Sequence, residues 1–262
     1  MTRKKQRLDL LLVERGLVET RSQGRVLVMA GEVRVDGARA VKPSTLVSPD
    51  SAIEVVTPAP YVSRGGYKLA AALSQFNITV NDEVCADVGA CTGGFTDVLL
   101  QKGAARVYAI DVGYGQIDWK LRRDSRVVVM ERTNARHLFS LPEQISFASI
   151  DVSFISLRLI LPAVTAWLVG EGQVVSLIKP QFEAGHSSVG KGGIVRSPAV
   201  HEQVLQDVLS WCAEHDLAPA GLIRSPITGA DGNIEFLAWL RRGQTTAFDL
   251  DSAISGVLAR GA

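Results

Sequence analysis

Residues 84–95 read Val84-Cys85-Ala86-Asp87-Val88-Gly89-Ala90-Cys91-Thr92-Gly93-Gly94-Phe95, an apolar run that ends on an acidic residue and a glycine-rich turn. A short apolar run closed by such a turn reads as a buried strand, Val84–Val88, feeding a helix, Gly94–Lys102. Gly89 permits a tight turn, and Gly93 and Gly94 would let a ligand lie against the backbone near a helix N-terminus. Asp111 closes the next apolar run, Val107–Ile110, where a carboxylate can accept hydrogen bonds from both hydroxyls of a ribose. A dinucleotide fingerprint needs glycine at its third position to admit a pyrophosphate, and Cys91 stands there. Asp87 would repel a pyrophosphate but suits a cationic sulfonium with its amino group. S-adenosylmethionine is therefore the better fit. Its expected contacts are Asp87, Gly89, Ala90, Cys91, Thr92, Gly93, Gly94 and Phe95, then Asp111 and Val112. Asn134 and Ala135, after a third strand, take the adenine side.

Outward from this loop, strand-like and helical runs alternate. The helices expected are Gly66–Phe76, Gly94–Lys102, Leu157–Val169 and Ala199–His215. The strands are Val84–Val88, Val107–Ile110, Val127–Met130, Phe147–Ile150 and Gln173–Ile178, with two later apolar runs at Gly221–Arg224 and Ile234–Trp239. Alternation of this kind argues for an α/β fold with a mostly parallel, doubly wound sheet covered on both faces. Four ionisable residues mark strand ends or the first helix: Lys68 in SRGGYKL, Asp151 in SIDVSF, Lys179 in LIKPQFE and Glu235 in GADGNIEF. In such a sheet the C-terminal ends of neighbouring strands open onto one crevice. Asp151 and Lys179 would face it, and Glu235 could enter from an antiparallel last strand. A ribose hydroxyl is a poor nucleophile, so a lysine there could act as base, or could stay cationic and stabilise the forming alkoxide. The residues alone leave both roles open.

The N-terminal stretch differs. Residues 1–60 hold ten Lys and Arg against seven Asp and Glu, an excess of +3, whereas the remaining 18 basic and 20 acidic residues give −2. Two short helical runs, Leu8–Arg15 and Ser22–Met29, flank Gly16. Small strands follow at Glu32–Val35, closed by an Asp36-Gly37 turn, and at Ala52–Val56. A cationic face on so small a module is the footprint of phosphate contact. Thr57-Pro58-Ala59-Pro60 denies the chain a helix and reads as a stiff linker. The expected organisation is a small α+β domain over 1–56, a linker over 57–62, an α/β domain over 63–245 and a tail over 246–262.

The N-terminal module, including VLVMAGEVRVDG, resembles the S4-type RNA-binding domain. That likeness implies RNA contacts from Arg3, Lys4, Arg7, Arg21, Arg25 and Lys42. The order Lys68, Asp151, Lys179, Glu235 resembles the catalytic tetrad of the FtsJ-type RNA 2′-O-methyltransferases. With the S4-type module in front, the stretches YVSRGGYKL, DVGACTGGFTD, DVSFISL, KPQFEAG, VGKGGIVR and GNIEF are similar to the TlyA family, often labelled hemolysin A. The likeness covers almost the whole chain to about Arg242. It implies a Rossmann-like class I methyltransferase fold, with an antiparallel last strand, that methylates a cytidine 2′-hydroxyl in 23S or 16S ribosomal RNA, as naked RNA or as assembled subunits. Arg64, Lys191 and Arg196, the last two in the Gly-rich loop Phe182–Ser197, are further candidates on the RNA side.

Composition narrows the alternatives. With 47% hydrophobic and 21% charged residues the chain is of ordinary globular type. Cys85, Cys91 and Cys212 form no CxxC pair, so neither a disulfide framework nor a metal site is expected. No apolar tract is long enough to span a bilayer, which speaks against a membrane-lysing protein and for a cytoplasmic one. An inactive methyltransferase that only binds RNA would be expected to lack a tetrad member or the glycine loop. A pseudouridine synthase would need a β-rich domain. A monomer is the expected state.

Overall fold

The computed structural model describes residues 4–56, 60–185, 188–190, 192–229, 232–244 and 247–259. The chain divides into two compact units, Met1–Pro60 and Tyr61–Ala262. Of the expected linker, 57–59 lie outside the described residues.

The first unit runs β1 (Gln6–Arg7), α1 (Leu8–Glu14), α2 (Arg21–Ala30), β2 (Val33–Val35), β3 (Ala38–Arg39), β4 (Leu46–Val47) and β5 (Ile53–Val55). Leu8, Leu11 and Leu12 recur at helical spacing and are buried with Val18, Val28, Val33 and Val47. Thr20 caps α2, its hydroxyl accepting from Gln23 N–H at 3.2 Å. β2 and β3 pair through Asp36-Gly37, whose φ of 50° and 81° are both positive, as a two-residue hairpin of this twist requires. β5 completes a three-stranded sheet on the other edge of β2, and β1 pairs with β4.

One charged residue lies inside this core. Asp9 is fully buried, accepting from Arg7 Nε and Nη2 at 3.0 and 2.9 Å and from Arg21 Nε at 3.0 Å. The Arg7 hydrogen bonds, then those of Arg21, hold the Asp9 carboxyl down at about 2 against the opposing effect of burial. Two of the expected RNA contacts, Arg7 and Arg21, are thus braced by a shared carboxylate. Lys4, Arg25 and Lys42 are exposed, and Arg3 lies outside the described residues.

The second unit runs α3 (Gly65–Gln75), β6 (Val84–Val88), α4 (Gly94–Gln101), β7 (Arg106–Ile110), α5 (Trp119–Arg122), β8 (Val127–Met130), β9 (Ile145–Ile150), α6 (Leu161–Trp167), β10 (Leu168–Ile178), α7 (Pro180–Glu183), α8 (Pro198–Glu214), β11 (Leu217–Arg224), β12 (Phe236–Arg242) and α9 (Leu250–Ala259). Its sheet has the order β11-β12-β10-β9-β6-β7-β8. β6 to β10 are mutually parallel, and β12 runs antiparallel to both β10 and β11. Each face carries its own core. Ile145, Ala148 and Ile150 of β9 pack with Trp167, Leu205, Leu209 and Ile254 on one face. Phe147 points the other way, to Leu69, Phe95, Leu99 and Leu121. The chain leaves β6 towards β7 and β8, then crosses back to β9 and β10. The order therefore reverses between β6 and β9, which is where such sheets open a crevice.

Three expectations need correction. The helix expected over Leu157–Val169 is a 3₁₀ turn, Leu157–Leu159, followed by α6. Pro162 lacks an N–H and sits where an interior helical bond would be missed, so the helix restarts there. Leu168 already belongs to β10, pairing with Ile145. The expected tail contains α9, whose Ile254 and Val257 are buried in the same core as α8. Tyr61 and Val62, expected in the linker, belong to the second unit, where Val62 N–H donates to the buried Asp97 Oδ2 at 2.9 Å.

The bracing of Asp9 has a pH consequence. Its folded carboxyl titrates below the ordinary value of about 3.9, so its stabilisation is complete above roughly pH 4 and is withdrawn as pH falls towards about 2. Asp9→Asn should therefore open amides of the first unit to hydrogen exchange at pH 5, with the gap to wild type narrowing on acidification to pH 2.5. A gap independent of pH would refute this role.

Candidate active site

The strand end at β6 is built around a carboxylate that cannot reach water. Asp87 is fully buried; its Oδ2 accepts from Thr96 N–H at 2.8 Å and Thr96 Oγ1 at 2.7 Å, and its Oδ1 from Ser149 Oγ at 3.3 Å. Asp87 thus satisfies a free N–H in the first turn of α4, a place where negative charge is favoured. Burial pushes its carboxyl up to about 7, the Thr96 hydrogen bonds opposing this and nearby Asp151 adding to it.

Beyond Asp87 the loop is held by its own backbone and by Asp111. Gly89 N–H donates to Ile110 O at 2.8 Å. Asp111 accepts from Cys91 N–H at 2.8 Å and from Gly113 N–H at 2.7 Å, joining the glycine loop to the end of β7. Gly89 has φ 85°, and a Cβ there would stand 2.4 Å from the backbone oxygen of Asp151. The other two glycines also make room for neighbouring parts of the protein. A Cβ on Gly94 would stand 2.2 Å from Ser63 Oγ, and one on Gly93 2.2 Å from Leu121 Cδ1. Their missing side chains let the start of α3, and α5, close upon α4.

Two cavities meet along this loop. One, of about 350 Å³, is lined by Ser63, Arg64, Gly65, Lys68, Asp87, Gly89, Ala90, Cys91, Thr92, Gly94, Phe95, Asp151 and the segment Ile227–Gly229. The other, of about 400 Å³, is lined by Gly89, Cys91, Asp111, Val112, Gln116, Thr133, Asn134, Ala135, Asp151, Phe154 and neighbouring apolar residues. Gly89, Cys91 and Asp151 belong to both and form the divide between them. Asn134 reaches the second cavity while its own Oδ1 accepts from Arg136 N–H at 3.0 Å, capping the 3₁₀ turn Ala135–His137.

The four candidate catalytic residues form two ion pairs. Lys68 Nζ donates to Glu235 Oε2 at 2.6 Å, with both residues buried. Lys179 Nζ lies 2.7 Å from Asp151 Oδ1 and donates its aligned hydrogen bond to Ser153 Oγ at 2.9 Å. Lys68 and Asp151 line the first cavity directly. Glu235 lies behind Lys68, closely packed on Gly229 of that cavity's wall. Lys179 lines neither cavity and is joined to both through its contact with Asp151.

Several residues at the site lie within the stretches quoted above but were given no role there: Ser63, Ser149, Ser153, Phe154 and Phe182. Phe154 is 90% exposed, sits at φ 63° and packs its ring 4.9 Å from that of Phe182. A bulky residue in that backbone region is rare, so nothing in DVSFISL signals it. The Gly-rich loop is anchored at its far end: Asn233 Oδ1 accepts from Val195 N–H at 3.1 Å, Asn233 Nδ2 donates to Gly193 O at 3.0 Å, and His201 Nε2 lies 3.1 Å from Val195 O. Arg64 and Arg196 are exposed, and Lys191 lies outside the described residues. Among the described residues there is no group of three or more His, Cys, Asp or Glu able to hold a metal, and no helix long and apolar enough to cross a membrane.

A glycine loop at the switch point of a sheet whose last strand is antiparallel defines a methyltransferase of Rossmann-like class. Residues 61–242 match the FtsJ-like methyltransferase family and residues 6–53 the S4 domain. The chain belongs to the FtsJ-like methyltransferases and, within them, to the TlyA group that carries an S4 domain in front. It is 44% identical over 262 residues to the Mycobacterium tuberculosis (strain H37Rv) 16S/23S rRNA (cytidine-2′-O)-methyltransferase TlyA, covering 97% of this chain and 98% of that one. A Bacillus subtilis (strain 168) protein provisionally named rRNA methyltransferase YqxC is 52% identical over 254 residues, covering 93% and 89%. A solved Streptococcus thermophilus structure, provisionally described as a hemolysin, superposes with TM-score 0.76 at 47% identity, covering 98% and 95%.

The divide between the cavities offers a direct test. Gly89→Ala should lower the stability of the second unit by on the order of 1–3 kcal/mol, because both its φ and its contact with Asp151 O forbid a side chain without movement. Urea unfolding followed by Trp fluorescence measures this. A variant as stable as wild type would show that the β6–β9 junction is softer than this geometry implies.

Proposed function

We propose that the chain transfers a methyl group from S-adenosylmethionine to a ribose 2′-hydroxyl of ribosomal RNA, at a cytidine of the 23S or 16S molecule. The observation that carries this reading is the pair of lysine–carboxylate contacts beside the glycine loop, Lys68–Glu235 on the first cavity and Asp151–Lys179 at its divide from the second. The naming of the Mycobacterium tuberculosis relative supports the nucleotide and the position of methylation.

The residues present suit the cofactor. Two adjoining cavities of about 350 and 400 Å³ are of the size that takes a nucleoside with its amino-acid extension. Asp111 uses two acceptor positions on backbone N–H groups, and a carboxylate has about four, so two remain for ribose hydroxyls. Val112, Asn134 and Ala135 would take the adenine side, and Asp87 with Gly89 to Phe95 the amino-acid side. The bound cofactor supplies an electrophilic methyl carbon on a sulfonium.

The remaining work belongs to the chain. Lys68 and Lys179 orient the 2′-hydroxyl from two sides, and their positive charge offsets the negative charge developing on its oxygen. The proton leaves to the Asp151 carboxylate, whose Oδ1 lies 2.7 Å from Lys179 Nζ. Glu235 keeps Lys68 in place. In-line placement of oxygen and methyl carbon supplies much of the acceleration. Phe154, exposed at the lip beside Asp151, presents a ring face on which an unstacked base can lie. Lys4, Arg7, Arg21, Arg25 and Lys42, with Arg64 and Arg196, are the candidate backbone contacts.

The test is transfer of radiolabelled methyl groups to ribosomal RNA and to isolated subunits, with the product mapped. Wild type should label a ribose 2′-oxygen, and Lys179→Ala should lose about 10²-fold or more of the rate while binding cofactor normally. Lys68→Ala should lose activity and also stability, by roughly 3–5 kcal/mol, because it leaves Glu235 buried and unpaired. Cofactor binding with no label on any subunit or RNA would overturn the reading.

A further inference from the structure

We propose that Glu183 is a positioning residue for methyl transfer, a half-buried strut that ties the segment after β10 to the segment after β9 and holds Lys179 and Asp151 in register. This rests on the function proposed above. Glu183 Oε1 accepts from Leu157 N–H at 2.7 Å, and Oε2 accepts from Ser156 Oγ at 2.7 Å. Leu157 is 2% exposed, so this end of the strut is set in the core. Ser156 begins the 3₁₀ turn, its Oγ also accepting from Arg158 N–H at 3.3 Å.

The contacts close a ring. Lys179 begins α7, with Phe182 N–H donating to Lys179 O at 2.9 Å. Phe182 packs on Phe154, and Glu183 reaches Ser156 and Leu157. From there the chain runs back through Phe154 and Ser153, whose hydroxyl accepts from Lys179 Nζ at 2.9 Å. Asp151 is pinned at its other side by its N–H on Val88 O at 2.9 Å. Between the pins lies Phe154 at φ 63°, a conformation that persists only where both flanks are held. Without Glu183 the flank at Ser156 and Leu157 would lose the side-chain acceptor that α7 supplies, and Ser153 and Phe154 would relax together. Burial raises the pKa of the Glu183 carboxyl above its ordinary value, with the Leu157 N–H and the Ser156 hydroxyl opposing this. An exposed glutamate of no structural consequence would show no such rise.

The experiment compares Glu183→Ala, Glu183→Gln and Ser156→Ala with wild type in the full chain. Glu183→Ala should lower kcat about tenfold or more, since small misplacements near reacting groups cost that much, while S-adenosylhomocysteine affinity stays within about twofold. Glu183→Gln keeps an oxygen for Leu157 N–H and should recover kcat to within about threefold of wild type. Hydrogen exchange at Ser153 to Leu157 should rise in Glu183→Ala and not in Glu183→Gln, a readout that needs no activity. A folded Glu183→Ala protein with wild-type kcat and wild-type exchange overturns the proposal. If that variant does not fold, Ser156→Ala decides: faster exchange at Ser153 and Phe154 with lowered kcat supports the strut, and wild-type behaviour overturns it. Should wild type label no RNA, the proposed function fails, and the exchange measurement still judges the strut.

Discussion

Where β6 and β9 end, backbone meets backbone. Asp151 N–H donates to Val88 O at 2.9 Å, and Gly89 turns away so tightly that a Cβ would stand 2.4 Å from Asp151 O. Everything around the site depends on this junction. It lies where the strand order reverses, so the loops on its two sides diverge and leave space. It places one carboxylate, Asp151, on the divide between two cavities. A residue with a side chain at position 89 would separate the strand ends and with them the glycine loop from the Asp151–Lys179 pair.

The charges of the second unit are distributed by the same logic. Asp87 is kept from water and used on α4, at the cost of a carboxyl titrating near neutrality. Lys68 and Glu235 are buried together, as neither would be tolerated alone. Asp151 and Lys179 stay partly exposed, with side-chain exposures of 22% and 11%, where incoming groups can meet them. In the first unit Asp9 shows the contrasting case: two arginines over one buried carboxylate keep it ionised even in acid.

Much of the tertiary arrangement was legible in the sequence. The period of the apolar runs marked every strand of the large sheet, because buried parallel strands are short continuous apolar stretches. DVGACTGGF marked the crevice, and of the four charged residues singled out, Lys68 in α3 and Asp151 after β9 line its cavities. Illegible were features that depend on contacts far along the chain. α9 carries its apolar residues in a stretch rich in small residues, and only its packing on α8 and β11 makes it a helix of the core. The break between Leu159 and Leu161 follows from Pro162, which was present in the sequence but outweighed by the apolar period around it.

The sequence by itself determined the class of fold, the run of strands of the large sheet, the position of the glycine loop and that Asp151, Lys179 and Glu235 stand at strand ends, because local periodicity and strand-end position are properties of neighbouring residues. Only the tertiary structure decided who pairs with whom. Lys68 meets Glu235 across 167 positions of chain, Lys179 meets Asp151 with Ser153, and the spaces beside Gly93 and Gly94 are filled by Leu121 and Ser63. Such pairings are set by sheet register and by the close approach of backbones, and no local stretch of residues carries either.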